Sequence, residues 1–447
     1  MFEVRATVFP FLFLFVASAQ ADLPKPITDA EYYDFGAPPR AKVELGRLLF
    51  FDKLLSGNQN ISCATCHHPN LGSGDALSLP VGEGARGLGT SRGTGAGDDA
   101  IVERVPRNAP ALFNLGARTF THMFHDGRLA VDGSQPSGFQ NPAGDDLPLG
   151  LETVLAAQAM FPVTSATEMA GQAGENSVAD AAALGNLAGP GGVWQQLADR
   201  LRANPEYVAL FTSVFADVGS AADIQFLHAA NAIAAFENVA FRADQSPFDR
   251  YLSGESQALS ARAMEGLDLF YGVAGCGGCH EGSFLTDGRF YSIALPQIGP
   301  GKGDGPSTHE DFGRERVSGL TRDRYRFRVP SLRNVALTGP WGHDGAFGSL
   351  ERMLRHHLDP VNSLEKYDPD EARLAPRGDL DLIDVQTHEA LGLRNALAAS
   401  NDLAPVSLSD RQVAALMDFL HALTDPASLD QSEWVPARVP SGLPLAD

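Results

Sequence analysis

Cys63-Ala64-Thr65-Cys66-His67 and, 276 − 63 = 213 residues further on, Cys276-Gly277-Gly278-Cys279-His280 repeat one pattern, C-x-x-C-H. Together they hold all four cysteines of the 447-residue chain, so no thiol is left for a structural disulfide or a lipid-bearing terminus. In each copy the two thiols can form thioethers with the vinyl groups of a haem, while the adjacent histidine brings its imidazole to the iron. Three other readings compete: two short disulfides, one zinc site of four thiolates, or a thioredoxin-like redox pair. None accounts for a histidine after both pairs, and the separation far exceeds the spacer of a zinc ribbon.

The segments before the two motifs are alike. From Arg40 to Phe51, Val43, Leu45, Leu48, Leu49 and Phe50 predict a helix; from Ala261 to Tyr271, Met264, Leu267, Leu269 and Phe270 predict another. Near the end Ser409 can cap a helix with Gln412, followed by Val413, Leu416, Met417 and Leu420 on one face. Residues 193–218 and 221–243 also read as helices, as does 151–160. Alternating strand patterns are scarce. Stretches rich in glycine, alanine and proline at 80–97, 131–150, 164–192 and 295–319 read as surface loops. Gly82-Glu83-Gly84 and Gly87-Leu88-Gly89 neither follow a clear strand nor open a helix, which speaks against a phosphate loop.

At its start the chain has an apolar run, Val8 to Ala17, too short to span a bilayer comfortably, followed by the small-x-small pattern Ala19-Gln20-Ala21. This predicts a signal peptide over 1–21 and an exported, periplasmic or cell-surface protein, an oxidising setting in which covalent haem attachment is at home. A net charge of −21 excludes nucleic acid as a natural partner and permits steering of a basic one.

Beyond the haem motifs the chain resembles the bacterial di-haem cytochrome c peroxidases and their MauG-type relatives. The resemblance rests on Leu45-Gly46-Arg47-Leu48-Leu49-Phe50-Phe51-Asp52, Arg107-Asn108-Ala109-Pro110, Phe124-His125-Asp126-Gly127-Arg128, Val329-Pro330-Ser331-Leu332-Arg333-Asn334, Thr338-Gly339-Pro340 and His343-Asp344-Gly345. It implies a mainly α fold of two cytochrome c-like domains with long loop insertions, each domain carrying one covalently bound haem c. The expected division is 22–245 and 246–430, with a C-terminal tail at 431–447 and the junction marked by Ser246-Pro247.

The same resemblance implies roles. Cys63, Cys66 and His67 would hold the peroxide-reactive haem, and Cys276, Cys279 and His280 the electron-transfer haem. Gln158 and, ten residues later, Glu168 reproduce the family's distal pair, with Pro162 and the Glu168-Met169 sequence in register. A carboxylate there can take a proton from one peroxide oxygen and return it to the departing one. No histidine lies between His68 and His122 to close the first haem, which implies an open sixth position.

At the second haem, the position fourteen residues beyond His343 is His357, where relatives carry methionine or tyrosine; His356 is the alternative. Imidazole in place of sulfur lowers the expected potential. His125 stands where the family often has an inter-haem tryptophan, and Trp341 is a candidate substitute. Asn108, Thr338 and Pro340 match positions that hold calcium in relatives, and oxygen donors suit that ion.

The expected activity is reduction of hydrogen peroxide with electrons from a small cytochrome or copper protein. The alternatives are MauG-like oxidation of Trp or Tyr on a partner protein, and non-catalytic electron carriage. The reading leaves open whether the protein is a homodimer.

Overall fold

The computed structural model describes residues 23–445; the signal peptide expected at 1–21 lies outside them. Helix α1 (Arg40–Phe51) buries Val43, Leu45, Leu49 and Phe50 and leads through a short turn to α2 (Cys63–Cys66), the first motif, which begins at Ser62. The first half continues through α3 (Val154–Ala159), α4 (Ser177–Ala183), α5 (Val193–Arg202), α6 (Pro205–Val214) and α7 (Phe226–Ala240).

The second half comprises α8 (Pro247–Leu252), α9 (Ala261–Tyr271), α10 (Glu315–Ser318), α11 (Leu350–Leu358), α12 (Pro360–Glu365), α13 (Gly378–Glu389), α14 (Leu391–Ser400) and α15 (Asp410–His421). Two small antiparallel sheets complete the fold. In one, β1 (His122–Met123), β2 (Leu129–Val131) and β3 (Phe139–Gln140) lie in that order; in the other, β4 (Phe290–Tyr291) pairs with β5 (Phe327–Arg328).

One packing arrangement occurs twice. α1 crosses α7, and Gly46 lies so close to the Ala232 carbonyl and the Phe236 Cβ that a methyl group on it would collide with both. α9 crosses α15 in the same way, with Gly266 against the Ala415 carbonyl and the Phe419 Cβ. Neither glycine has positive φ, so it is space and not backbone freedom that requires them. Each crossing is the centre of its own apolar core. One runs from Tyr32 to Ala243, and the other from Phe248 to Leu423.

The tail after Asp430 belongs physically to the first core. Val439 is buried there, Trp434 stands edge-on to Phe236 at 5.8 Å, and the Ser441 hydroxyl donates to Asp52 at 2.7 Å.

Several sequence expectations need adjusting. The predicted helix at 193–218 breaks at Asn204-Pro205, where Asn204 accepts from the backbone N–H of Glu206 and Tyr207 and caps α6. Proline lacks the N–H needed to continue α5 but is well suited to open a helix. The helix expected from 221 starts at Phe226, and the stretch 164–192, read as a loop, contains α4 and a π-helical turn at Ala166–Ala170. Helices α12, α13 and α14 occupy a region for which the sequence reading proposed nothing.

A buried ion cluster joins the halves. Arg107 binds Asp311 through Nε (2.7 Å) and Nη2 (2.9 Å), and Asp126 through Nη1 (2.7 Å). Burial alone would push both carboxyls up, but Arg107 overrides it and holds both below the ordinary carboxylate range. A second bridge links Arg104 to Asp384 (2.6 Å) and Asp381 (2.7 Å) of α13.

Two predictions follow from this architecture. Gly46→Ala and Gly266→Ala should each cost about 2 kcal/mol or more, because overpacking against backbone cannot relax by a rotamer change; urea denaturation checks this. Arg107→Met should cost about 3–5 kcal/mol at neutral pH by leaving two buried carboxylates unpaired. Depressed carboxyls contribute stability above about pH 4 that disappears as pH falls through their folded-state values. The difference between Arg107→Met and the parent protein should therefore shrink in acid.

Candidate functional site

Ser62 opens α2 in a reciprocal cap with Thr65, and the turn presents Cys63 and Cys66 to one cleft with His67 just beyond. The His67 ring is fixed by its Nδ1–H donating to the Ser73 carbonyl at 3.0 Å, which leaves Nε2 free. Burial pushes the His67 imidazole down, favouring the neutral form that binds iron. The cleft has an empty volume of about 1150 Å³, including its open mouth. Leu55, Ile61, Leu112, Leu155, Val163 and Ile233 give it a largely apolar lining, as a cofactor site needs.

Gln158, Pro162 and Glu168 line the same cleft as His67, so residues about one hundred positions apart converge. Gln158 sits at the end of α3, and its side-chain oxygen is buried with no hydrogen-bond partner. Such an atom calls for a donor from whatever enters the cleft.

Glu168 rides on the π-helical turn, in which the Ser165 carbonyl accepts from the N–H groups of Glu168, Met169 and Ala170. Two glycines let other loops clamp that turn. Gly57 donates its N–H to Met169 and has its Cα against the Ala170 carbonyl, while Gly82 abuts Thr167. Burial pushes the Glu168 carboxyl up, and Arg128 and Lys302 oppose the shift. A carboxyl so placed is suited to proton transfer.

His125 is the one other histidine lining the cleft. Its Nε2–H donates to the Asn108 carbonyl at 3.0 Å, and burial beside Arg107 pushes it down to about 4. His68 turns away, accepting from the Asn70 N–H and packing edge-on to Phe51.

Two lining residues escaped the sequence reading. Arg128, quoted only as part of a motif, stacks its guanidinium 3.6 Å from the Phe124 ring centroid. Glu237 on α7 is buried without a charged partner and pushed up to about 8 by burial. A lone glutamate in an apolar helix gives no local signal, whereas the Asp-Gly-Arg sequence did.

The second motif follows α9 directly. His280 Nδ1–H donates to the Leu285 carbonyl at 3.1 Å, and burial with His357 nearby pushes the ring down to about 4. The His357 ring centroid lies 6.4 Å from that of His280, with the rings inclined at 55°. Two imidazoles each roughly 2 Å from one metal ion between them would stand at about this separation. His357 Nδ1–H donates to the Met353 carbonyl at 2.9 Å, so its free nitrogen is again Nε2. His356 points elsewhere: its Nε2–H donates to the Ile293 carbonyl at 2.7 Å, and its ring packs on Phe347. In donor chemistry and spacing, both motifs fit haem.

Trp341 donates its indole N–H to Val335 and packs with the second core. The Asn108 amide nitrogen donates to the Leu77 and Ser78 carbonyls, and the Thr338 hydroxyl to Val335. No hydrogen bond or ion pair joins Asn108 to Thr338 or Pro340 among the described residues. Those residues also contain no cluster of three His, Cys, Asp or Glu side chains that could hold a metal.

Residues 40–257 match the family model described as di-haem cytochrome c peroxidase. The chain is 33% identical to the methylamine utilization protein MauG of Methylorubrum extorquens over 320 residues, 71% of this chain and 68% of that one. It is 30% identical to the cytochrome c551 peroxidase of Pseudomonas aeruginosa over 308 residues, 69% of each.

Among solved structures, a MauG-like protein associated with microbial copper homeostasis superposes with a TM-score of 0.60 at 23% identity, covering 95% of this chain and 99% of the other. The diheme peroxidase BthA from Burkholderia thailandensis does so with a TM-score of 0.57 at 20% identity, covering 92% and 93%. These two share the fold. With the paired motifs, the cleft and the sequence relatives together, the chain belongs to the di-haem cytochrome c peroxidase and MauG family.

Proposed function

We propose that this protein reduces hydrogen peroxide in the cleft of the first motif, with electrons entering through the second motif from a small cytochrome or copper protein. The observation that carries the reading is the asymmetry of the two sites. His67 lines one cleft with Gln158 and Glu168, where the other lining imidazole among the described residues, His125, donates its Nε2–H to the Asn108 carbonyl, whereas His280 faces His357. Two haem c groups, attached through Cys63 and Cys66 and through Cys276 and Cys279, supply iron and one-electron redox chemistry when bound.

The side chains then have distinct tasks. His67, oriented by the Ser73 carbonyl, would hold the first iron. Gln158 orients peroxide through its unpartnered amide, and Glu168 accepts a proton from one peroxide oxygen and delivers it to the other. With two electrons and two protons, one peroxide yields two waters. His280 and His357, each tethered through Nδ1, would hold the second iron. The His356 ring, whose Nε2–H donates to the Ile293 carbonyl, is turned toward Phe347 instead.

Calcium belongs to the same proposal. The Asn108 side-chain oxygen and the carbonyls of Thr338 and Pro340 accept no hydrogen bond among the described residues and are the donor type calcium takes. Export is supported by the apolar leader together with the observation that no described helix is long and apolar enough to cross a membrane.

A second reading, peroxide-driven oxidation of Trp or Tyr on a partner protein, is favoured by the imidazole at position 357 and by the MauG relative. Turnover with reduced cytochrome or copper protein separates the two: rapid donor oxidation supports the peroxidase. Its absence, together with a mass change in a co-encoded protein, supports modification. A mere electron carrier would need neither Gln158 nor Glu168, and inertness of both haems to peroxide would establish it.

Glu168→Gln should slow the peroxide reaction by roughly 100-fold or more in stopped-flow measurements while both haems remain attached. His357→Ala should convert the second haem from low to high spin by electron paramagnetic resonance, and His356→Ala should not. The opposite pattern would reassign the ligand.

A further inference from the structure

One buried carboxyl of the first cleft takes no part in the proposed mechanism. Phe226, Ile233 and Glu237 of α7 line that cleft, and their spacing places them on one face of the helix. The residues beside Glu237 point elsewhere. The Phe236 ring packs 5.2 Å from that of Phe50 and 5.8 Å from that of Trp434, and the Asn238 amide donates to the Tyr33 carbonyl at 3.0 Å. Glu237 thus puts an ionisable group, on an otherwise apolar face, into the space that Cys63, Cys66 and His67 also line.

Glu237 is 9% exposed, and its carboxyl enters no hydrogen bond or ion pair among the described residues. The charged groups on the elements packed against α7 are engaged with others. On α1, Lys42 pairs with Glu152 and Arg47 with Glu44; on α5, Arg200 bonds the carbonyls of Leu54, Ser56 and Gly57, and Arg202 that of Ile224. On α7 itself His228 meets Asp217, and just beyond it Arg242 pairs with Asp29 and Asp244. Asp34 and Glu433 are exposed, and α3 carries no charged side chain. Within the cleft, Arg107 is bound to Asp126 and Asp311, Arg128 to Asp126, and the His125 Nε2–H to the Asn108 carbonyl. Glu168, the other carboxyl that lines the cleft, differs in having Arg128 and Lys302 act on it.

A carboxyl without partners in such surroundings stays neutral, because burial penalises its charged form. For Glu237 burial acts alone. A haem held through Cys63, Cys66 and His67 fits the cleft, and its apolar ring would exclude water from this wall still further. Loss of one electron from the iron adds one positive charge to the site, and in surroundings of low polarity that charge acts strongly on an ionisable neighbour. Arginine keeps its proton throughout, and His125, pushed down to about 4 by burial, has none to release at neutral pH.

We infer that Glu237 is a redox-linked proton site of the first haem: its carboxyl keeps a proton while the iron is reduced and gives it up to water at the cleft mouth when the iron loses an electron to peroxide. One electron and one proton leave together, so the net charge of the buried site is unchanged. The inference rests on the proposed seating of a haem at the first motif. It gives the cleft a second carboxyl whose task is charge compensation, beside Glu168 whose task is proton transfer to peroxide.

The test uses the haem-loaded full-length protein and its Glu237→Gln, Glu237→Met and Glu168→Gln variants, with attached haem counted by pyridine haemochrome spectra. Spectroelectrochemical titration at a series of pH values reads the midpoint potential of the first haem through its high-spin absorption. In the parent protein and in Glu168→Gln the potential should fall as pH rises through the neutral and alkaline range, because ionised Glu237 favours the oxidised iron. In Glu237→Gln and Glu237→Met, whose side chains stay neutral, it should remain at its acid value, above the parent's on the alkaline side. The second haem should behave alike in all four proteins. Redox-difference infrared spectra should show a protonated-carboxyl band that vanishes on oxidation and is absent from both Glu237 variants.

The same pH profile and the same infrared band in the parent and a folded Glu237 variant would overturn the inference, as would a slope lost only in Glu168→Gln. Failure of the proposed function reads differently. A protein inert to peroxide that keeps the Glu237-dependent slope would overturn the peroxidase and support the linked proton, whereas a single attached haem would overturn both.

Discussion

The close crossing of two helices at a glycine, made once by α1 on α7 and again by α9 on α15, is the constraint on which the rest of the molecule depends. At Gly46 and Gly266 the absence of a side chain lets one helix rest on the other's backbone carbonyl. Beyond that contact α1 and α9 run on to Phe51 and Tyr271, and each C-x-x-C-H turn follows. A larger residue would separate the helices and displace the turn from the wall opposite. The two halves share this crossing and the turn beyond it, and differ in the helices and sheets built around them.

Those differences are local and chemical. In both halves the histidine of the motif is anchored through Nδ1 to a backbone carbonyl, Ser73 or Leu285, leaving Nε2 outward. Across from His67 the chain places a π-helical turn bearing a carboxylate; across from His280 it places a helix bearing an imidazole. A site open on one side suits a reacting ligand, and a site closed on both suits electron transfer with little rearrangement. The buried Arg107 cluster fixes one half against the other, because Arg107 lines the first cleft and binds Asp311 of the second half.

The motifs, the two helices before them and the terminal helix with its Ser409 cap were legible because each is written in contiguous residues, whereas the Gln158 to Glu168 interval carried meaning only through the family resemblance. Asn204-Pro205 was equally local, and its break was missed because apolar periodicity continues on both sides of it. The π-helical turn at Glu168 was not legible. Its geometry comes from Gly57 and Gly82, more than eighty residues away, clamping a segment whose composition reads as loop.

By itself, the sequence determined the chemistry available to this protein: four thiols in two attachment motifs, two proximal imidazoles, and a glutamine and a glutamate at a defined interval. These are covalent and compositional facts that folding does not alter. Only the tertiary structure turns His357 toward His280 and His356 toward Ile293. Adjacent residues on a helix point in different directions, and only packing against Ile293 on one side and His280 on the other assigns them. It alone brought Gln158, Arg128 and Glu168 into one cleft and drew the tail onto the first core. Such contacts join residues far apart in the chain, and the free energy that holds them belongs to burial and charge pairing between segments, which no local pattern encodes.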